Sequence, residues 1–414
     1  MNDYLLLLAP AANRVYAQAT PALAAAELTL TSDFNAIEPI TLAGVEYLAF
    51  TSPPLSDANL STISRQSAAL ALFERKSISD DKTARETLIS SFPAQHFMHS
   101  CRSDVQQADT MIPCDMATSE NEHFPNTPLF PIKLPLPFVM SDDLVTIPKY
   151  HGKTNEQFTR LLLNLTLATC VTGNQRPDVL DPLAGRGTTL STAWLYGLDA
   201  AGVETDMRSF EALAAYFKTY LRTKRLKHSA SVTPVRRDGK MLGHRFDAVL
   251  RGSPELKLSV FTGDTRDCAK LYGKRRFDCI VTDAPYGVSH GARGGTFHSN
   301  HDDENSNFHA KGAASNAGGR SSHVPPPVIT RSPQQLLAEA VPVWSGQLKP
   351  GGALGIAFNT FTMPREALLE ICVAAGLEPQ TGDVWEQLAH RVDQAIWRDV
   401  VVARRPLLAA IDQS

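Results

Sequence analysis

The stretch DPLAGRGTTL, residues 181–190, decides the fold. It follows a short apolar segment that ends at Leu180, and a helical pattern begins at Thr188. Gly185 and Gly187 allow the backbone to turn tightly and to approach a ligand without a Cβ in the way. A glycine-rich turn between a strand and a helix is typical of open α/β sheets, which bind ligands at the carboxyl ends of their strands.

Strand and helix patterns alternate on both sides of this turn. The predicted strands are 178–180, 200–203, 258–261, 279–281, 351–358 and 395–403; the predicted helices begin near Thr154, Thr188 and Ser209 and cover 333–347 and 364–375. We expect Thr154 to cap its helix, with Gln157 completing a capping box. The alternation predicts an α/β fold with a doubly wound, mostly parallel sheet and helices on both faces.

The first part of the chain predicts a smaller α+β domain. Its pattern consists of a strand at 4–8, a helix through 21–28, a hairpin of 39–42 and 45–50, and a helix over 55–76. From residue 77 to 137 the pattern weakens and prolines cluster, as in a linker. We therefore predict an N-terminal α+β domain over 1–140 with a proline-rich linker, and a second domain over 145–408.

Composition favours a cytoplasmic protein. The 414 residues are 43% hydrophobic and 20% charged, and no apolar run approaches a membrane span or a secretory signal. None of the six cysteines is spaced as Cys-x-x-Cys, so we expect reduced thiols. The net charge of −3 provides no overall basic field, so binding to nucleic acid would need a local patch.

A cluster of histidines and cysteines contains residue types that can bind a metal. Its members are His96, His99, Cys101, Cys114 and His123. Their spacing matches no standard zinc finger, and the segment is polar and irregular. We interpret them as surface loop residues and predict no metal.

Two insertions interrupt the alternation. Residues 218–245 are basic and include Lys218, Arg222, Lys224, Arg225, Lys227, Arg236, Arg237, Lys240 and Arg245. This stretch is the best candidate for contacts with nucleic-acid phosphates, and a solvated helix face and loop is the alternative. Residues 288–327 are rich in Gly, Ser, Asn and His and predict a flexible loop, either a lid over the site or plain disorder.

The second informative stretch is VTDAPYGV, residues 281–288. An apolar strand stops at Asp283, and Pro285 and Gly287 then force a turn. The segment resembles the D-P-P-Y type motif of amino-methyltransferases, with Ala284 in place of the first proline. A plain junction between a strand and a turn is the alternative.

The resemblance implies methylation of the exocyclic amine of a nucleobase. Such an amine is a poor nucleophile, because its lone pair is delocalised into the ring. Asp283 and the carbonyl of Ala284 could accept its two N–H groups and turn the lone pair toward the methyl donor. Pro285 would fix the turn, and the ring of Tyr286 would stack on the base.

The turn at 181–190 lacks the lysine of a phosphate loop and begins with a carboxylate, which repels phosphate and suits a cationic amine. It resembles the first motif of S-adenosylmethionine (SAM) methyltransferases. The resemblance implies SAM as cofactor, held at Asp181, Pro182, Gly185 and Gly187.

Three further segments follow from the same resemblance. Glu204 would accept the ribose hydroxyls, with Asp206 as the alternative residue. The structural alternative is an acid that stabilises a helix N-terminus through the helix dipole. Asp264 would meet the adenine amine or, alternatively, would cap a turn. Residues 153–158 resemble the segment that closes over the methionine end of the cofactor.

The order of these motifs resembles that of the THUMP-associated tRNA guanosine-N2 methyltransferases over about 145–406. The same resemblance includes Gly287 and the runs AHRVDQ (389–394) and RDVVVAR (398–404). The resemblance implies tRNA as partner, with methylation at position 10, and leaves a small activating subunit open. The alternatives are a DNA methyltransferase acting on adenine N6 or cytosine N4, and a non-catalytic RNA-binding protein on this fold.

Overall fold

Two β-sheets organise the protein. The computed structural model describes residues 1–11, 14–76, 128–150, 152–237, 240–286 and 332–407. Within these ranges one sheet has five strands and the other has ten. No helix in these ranges is both long and apolar enough to cross a bilayer.

The smaller sheet is antiparallel, in the order β2-β3-β1-β4-β5. Its strands are β1 (Asn2–Leu8), β2 (Asn35–Leu42), β3 (Val45–Ser52), β4 (Ala69–Arg75) and β5 (Leu129–Ile132), with helices α1 (Arg14–Thr31) and α2 (Asp57–Arg65). Tyr4, Leu6 and Leu8 form its core with Leu28 of α1 and Phe50 of β3. The predicted first strand and hairpin are confirmed.

Two predictions for this part were wrong. The helix expected over 55–76 ends at Arg65, and β4 follows it, because pairing with both β1 and β5 overrides the helix propensity of its Ala, Leu, Glu and Arg residues. The proline-rich segment is not linker throughout, since β5 lies within it. Pro131 is tolerated there because β5 is an edge strand.

The larger sheet follows the order β13-β15-β12-β11-β6-β7-β10-β9-β8. Its strands are β6 (Val179–Asp181), β7 (Ala200–Glu204), β8 (His228–Arg237), β9 (Lys240–Leu250), β10 (Leu256–Thr262), β11 (Phe277–Asp283), β12 (Leu348–Asn359), β13 (Glu378–Pro379), β14 (His390–Arg391) and β15 (Trp397–Arg404). The five central strands are parallel, and the outer ones are antiparallel. The predicted doubly wound, mostly parallel α/β sheet is therefore confirmed.

Helices cover both faces of this sheet and bury two separate cores. The helices are α3 (Asp143–Thr146), α4 (Glu156–Thr169), α5 (Thr188–Leu195), α6 (Met207–Thr223), α7 (Cys268–Tyr272), α8 (Pro333–Gln347), α9 (Arg365–Ala374) and α10 (Asp383–Glu386). Gly355 on β12 allows α4 to pack closely, since a Cβ there would lie 2.0 Å from Thr166 Oγ1. This packing holds the carboxyl-terminal half of α4 directly on the sheet.

The basic insertion is largely a β-hairpin. Strands β8 and β9 continue the sheet beyond β10, where Phe246 pairs with both Val232 and Val260. The helix face and loop describe only residues 218–227, whereas residues from 228 onward form the hairpin strands. The hairpin covers the outer edge of β10, which would otherwise present unpaired backbone groups.

A buried carboxylate joins the two sheets. Glu27 of α1 accepts hydrogen bonds from Ser67 and, at 2.6 Å, from the side-chain amide of Asn164 on α4. Glu27 is fully buried, and burial raises its pKa. Because all these bonds lie inside the protein, the small sheet is fixed against the helix layer of the large one.

Candidate active site at the switch point of the large sheet

The strand order reverses between β6 and β11, which are neighbours in the sheet. Open α/β sheets bind their ligands at such a switch point, outside the carboxyl ends of the strands. β6 ends at Asp181 and β11 at Asp283, and Glu204 ends β7 on the same edge. The fold therefore brings together three carboxylates that the sequence predicted as site residues.

Asp181 lies beneath the site and is only 3% exposed. Its Oδ1 accepts hydrogen bonds from the amide of Leu183 at 3.1 Å and from Thr282 Oγ1 at 2.8 Å. Burial raises the pKa of Asp181 to about 7, and the charge of Asp283 adds to the shift. A cationic ligand group here would favour the ionised form.

The glycine-rich turn connects β6 to α5. Gly185 and Gly187 have φ of +53° and +85°, which glycine adopts without strain. A Cβ on Gly187 would lie 2.9 Å from Leu213 Cδ1, whereas one on Gly185 would meet nothing within 4 Å. Pro182 is buried at the start of the turn. The turn is thus packed on its inner side and open to a ligand at Gly185.

Glu204 and Asp206 have different environments. Glu204 is 8% exposed, and its two oxygens accept the amides of Gly185 at 2.6 Å and Asp206 at 2.7 Å. Asp206 caps α6 by accepting the amide of Ser209 at 3.0 Å. Burial raises the pKa of Glu204, whereas the bond from Ser209 lowers that of Asp206. Of the two acids, Glu204 is the one in contact with the glycine-rich turn.

Asp264 caps a turn, which is the alternative that the sequence offered for it. It caps the 3-10 helix Thr265–Asp267, and its carboxylate accepts Arg266 Nε at 2.9 Å and Nη2 at 2.6 Å. The hydrogen bond from Arg266 lowers the pKa of Asp264. A contact with adenine stays a prediction, and Asp264 would have to make it while bonded to Arg266.

The carboxylate of Asp283 is held by two hydroxyl groups. Thr154 Oγ1 donates to Oδ2 at 2.6 Å, and the Tyr286 hydroxyl donates to Oδ1 at 2.6 Å. Arg398 Nε donates to the Tyr286 oxygen at 2.6 Å, and its Nη2 lies 4.0 Å from Asp283 Oδ2. The guanidinium packs over the rings of Phe158 at 4.2 Å and Tyr286 at 5.3 Å. Burial raises the pKa of Tyr286, and the charge of Asp283 raises it further.

Sequence reasoning missed the roles of Thr154 and Arg398. The predicted cap was wrong, because Asn155 caps α4 by accepting the amide of Phe158 at 3.1 Å. Thr154 is thereby free to contact Asp283. The available signals were two adjacent cap-type residues at 154–155 and the charged pair Arg398-Asp399 at the start of the apolar run 400–403. In the structure Arg398 is 4% exposed.

A cavity of about 340 Å³ lies beside Asp283. It is lined by Tyr16, Lys149, Tyr150, Lys153, Thr154, Asn155, Glu156, Val392 and Arg398. Tyr150 reaches the start of α5, where its hydroxyl lies 2.9 Å from Thr188 Oγ1. The cavity therefore borders Thr154 and Arg398, two of the partners of Asp283, and includes part of the predicted segment 153–158. Tyr150 connects it to the start of α5.

Several predicted features lie outside the described residues. They are Gly287, the loop 288–327, and the five histidines and cysteines from His96 to His123. Within the described ranges, no three His, Cys, Asp or Glu side chains come together as metal ligands would. Pro285 is described and is exposed beside Tyr286.

The raised pKa of Asp181 predicts a pH-dependent stability. The protonated form suits the buried site. The contribution of Asp181 to the free energy of unfolding is therefore fully present below pH 3.8, the ordinary pKa of an aspartate, and is lost as pH rises toward about 7. Asp181→Asn should therefore melt a few degrees above the wild type at pH 8, with the difference opening between pH 4 and pH 7. Thermal denaturation across pH checks this.

The matched control for that experiment is Asp206→Asn. Because the pKa of Asp206 is lowered, its substitution should have the opposite sign and cost stability above pH 4. A difference between Asp181→Asn and wild type that does not vary with pH would contradict the assignment.

No family profile and no curated protein matches the chain. Among solved structures, TrmN from Thermus thermophilus is 13% identical over 98% of this chain and 100% of that chain, with a TM-score of 0.40. The 16S rRNA N2 G1207 methyltransferase RsmC of T. thermophilus, solved with AdoMet and guanosine, is 18% identical over 62% of this chain, with a TM-score of 0.31. The match spans 44% of RsmC. At these scores the similarities assign no activity.

Proposed function

We propose that this protein is a SAM-dependent methyltransferase that modifies the exocyclic amine of a nucleobase in RNA. By the resemblance of its motifs, the target is N2 of guanosine in tRNA, at position 10. The observation that carries the proposal is that Asp181 and Asp283 end the two neighbouring switch strands, with Thr282 donating to Asp181. The glycine-rich turn follows Asp181, and a cavity lies beside Thr154 and Arg398, which contact Asp283.

The residues of the turn fit SAM. Gly185 leaves open space where a Cβ would stand, and Asp181 offers a carboxylate for the methionine amine. Glu204 can still accept ribose hydroxyls, because each carboxylate oxygen has two lone pairs and accepts one amide here. Asp181, Pro182, Gly185, Gly187, Glu204 and Asp264 would hold the cofactor. When bound, SAM supplies a methyl group on a sulfonium, which leaves as a neutral thioether.

Asp283 orients the nucleophile in this proposal. Its carboxylate accepts one N–H of the base amine, and the carbonyl of Ala284 accepts the other, so that the nitrogen lone pair faces the methyl group. The amide of Ala284 donates to Ala357 O at 2.8 Å, which holds the turn against β12. Pro285 restricts the turn further by fixing φ.

Tyr286 and the cavity receive the base. A cavity of about 340 Å³ is within the range of small-ligand pockets. Arg398 packs on the ring of Tyr286, so the base would stack on the other side of the ring. The Tyr286 hydroxyl already donates to Asp283 Oδ1, but an ionised carboxylate has about four acceptor positions and can take the amine as well.

Two alternatives are separated by the choice of substrate. A DNA methyltransferase would share the motif at 283–286, and a non-catalytic RNA-binding protein would share the fold. The hydrogen bonds that hold Asp283 favour an enzyme, because a merely structural turn does not need its carboxylate positioned by Thr154 and Tyr286.

Incubation of the purified protein with labelled SAM and tRNA, rRNA or DNA tests the proposal. We expect label in tRNA, released on digestion as N2-methylguanosine. Label confined to DNA would contradict the RNA assignment. No transfer to any of the three would favour the binding protein.

A further inference from the structure

A groove runs between helix α6 and the β8–β9 hairpin. Two cavities of about 350 and 490 Å³ share Ala215 and Lys218, so they form one continuous depression. Its polar walls are Lys218, Thr219 and Arg222 from the helix and His228 and His244 from the hairpin. We call this depression the α6–hairpin groove.

The charges in the α6–hairpin groove are unbalanced. Two neighbouring basic residues of the same insertion are neutralised by other parts of the protein, since Lys224 pairs with Asp143 and Arg245 with Asp247. In the described part of the chain, Lys218 and Arg222 have no such ion pair. Glu211 is the one acid among the lining residues.

Lys218 and Arg222 lie four residues apart on one helix face, a spacing at which the Cβ atoms are about 6 Å apart. Lys218 Nζ stands 5.9 Å from the centre of the Phe246 ring, which packs into the floor between helix and hairpin. The helix and the sheet thus hold both cations on one side of the groove.

The groove begins at the edge of the sheet that carries the site. α6 follows β7 directly, three residues after Glu204, and the amide of His244 donates to Thr262 Oγ1 at 2.7 Å, at the end of β10. From Met207 to Arg222 the helix is about 22 Å long at 1.5 Å per residue. A polyanion in the groove would therefore lead away from the cofactor edge along the side of the domain.

We propose that the α6–hairpin groove binds the sugar–phosphate backbone of the RNA substrate, with Lys218 and Arg222 neutralising phosphates. His228, His244 and Thr219 supply further hydrogen-bond donors. The proposal rests on the proposed function, because it takes RNA as the substrate. Unpaired cations favour a phosphate backbone over a protein partner, since phosphate neutralisation is the main source of affinity for nucleic acid.

The test is a double substitution, Lys218→Ala with Arg222→Ala. We measure the Kd for a fluorescent, unmodified tRNA transcript between about 0.1 and 0.3 M salt, where the Debye length is about 10 Å or less. Loss of two phosphate contacts should lower the slope of log K against log salt by about 1.5 and weaken binding roughly tenfold or more at 0.15 M. The maximal rate at saturating RNA should stay within about twofold.

The matched control is Lys270→Ala with Arg404→Ala. It also removes one lysine and one arginine charge, but outside the groove: Lys270 lies on α7 on the other face of the sheet, and Arg404 lies on β15. The control should keep the wild-type slope and affinity, and all variants should keep their Tm and SAM binding.

The outcomes distinguish a failure of the groove assignment from a failure of the proposed function. If the wild type methylates RNA and the double variant keeps both slope and affinity, the groove assignment is overturned and a protein-binding surface becomes the better interpretation. If the wild type neither binds nor methylates RNA, the proposed function fails together with the groove.

Discussion

Asp283→Ala should abolish most methyl transfer, lowering kcat about a thousandfold or more, while SAM binding changes by less than about threefold. In the proposed mechanism the carboxylate is the acceptor that orients the amine in the transition state, and alanine leaves nothing in its place. The side chain of Asp283 is held by Thr154 and Tyr286 rather than by the glycine-rich turn, so the cofactor side should be little disturbed.

Single-turnover transfer and equilibrium binding of SAM measure the two effects separately. Glu378→Ala serves as control, since it removes an acid on β13, at the far edge of the sheet, that is paired with Arg404. Asp283→Asn keeps the shape and one acceptor and should recover part of the loss. Near-normal turnover of Asp283→Ala would refute the assigned role.

Arg398→Met should lower kcat roughly a hundredfold, with the KM for SAM little changed. In the proposed mechanism Arg398 is a positioning residue. It holds the Tyr286 hydroxyl at 2.6 Å and fills the space between the rings of Phe158 and Tyr286. Without it, Tyr286 and Asp283 lose their fixed geometry, and a displacement of about 1 Å has an effect of this size.

The variant Arg398→Lys distinguishes a positioning role of Arg398 from a general contribution to the stability of the fold. Arg398→Lys restores the charge but not the planar group that packs on two rings, so it should recover only part of kcat. Arg391→Met, at an exposed position on the neighbouring strand β14, is the control and should behave as wild type. Equal losses in kcat and in Tm for both Arg398 variants would indicate a structural role alone.

The large sheet was predictable because its signals are local. The turn at 181–190 and the strand ending at Asp283 each show a strand, a stop and a turn within about ten residues. The order of such units along the chain then fixes the parallel sheet and places Asp181, Glu204 and Asp283 on one edge.

The remaining parts depend on contacts between distant residues. Thr154 lies 129 positions from Asp283 in sequence, and Arg398 lies 112 from Tyr286, so no local pattern connects them. The strand β4 was read as a helix for the same reason, because its partners β1 and β5 are far away in the sequence. The basic insertion did contain a hairpin signal, since Asp238-Gly239 is a dipeptide typical of two-residue hairpin turns. The charged residues on either side, Arg236, Arg237 and Lys240, obscured the alternating pattern that would have marked the two strands.

The Glu27 link between the two sheets has a practical consequence for dissecting the protein. A chain shortened to begin near residue 141 would lose Glu27 and Ser67 and expose the amide of Asn164. It would also uncover the apolar side of α4 that packs on Tyr16, Leu23 and Ala26 of α1. Such a fragment should aggregate on expression, so the two halves are best studied by substitution within the intact chain.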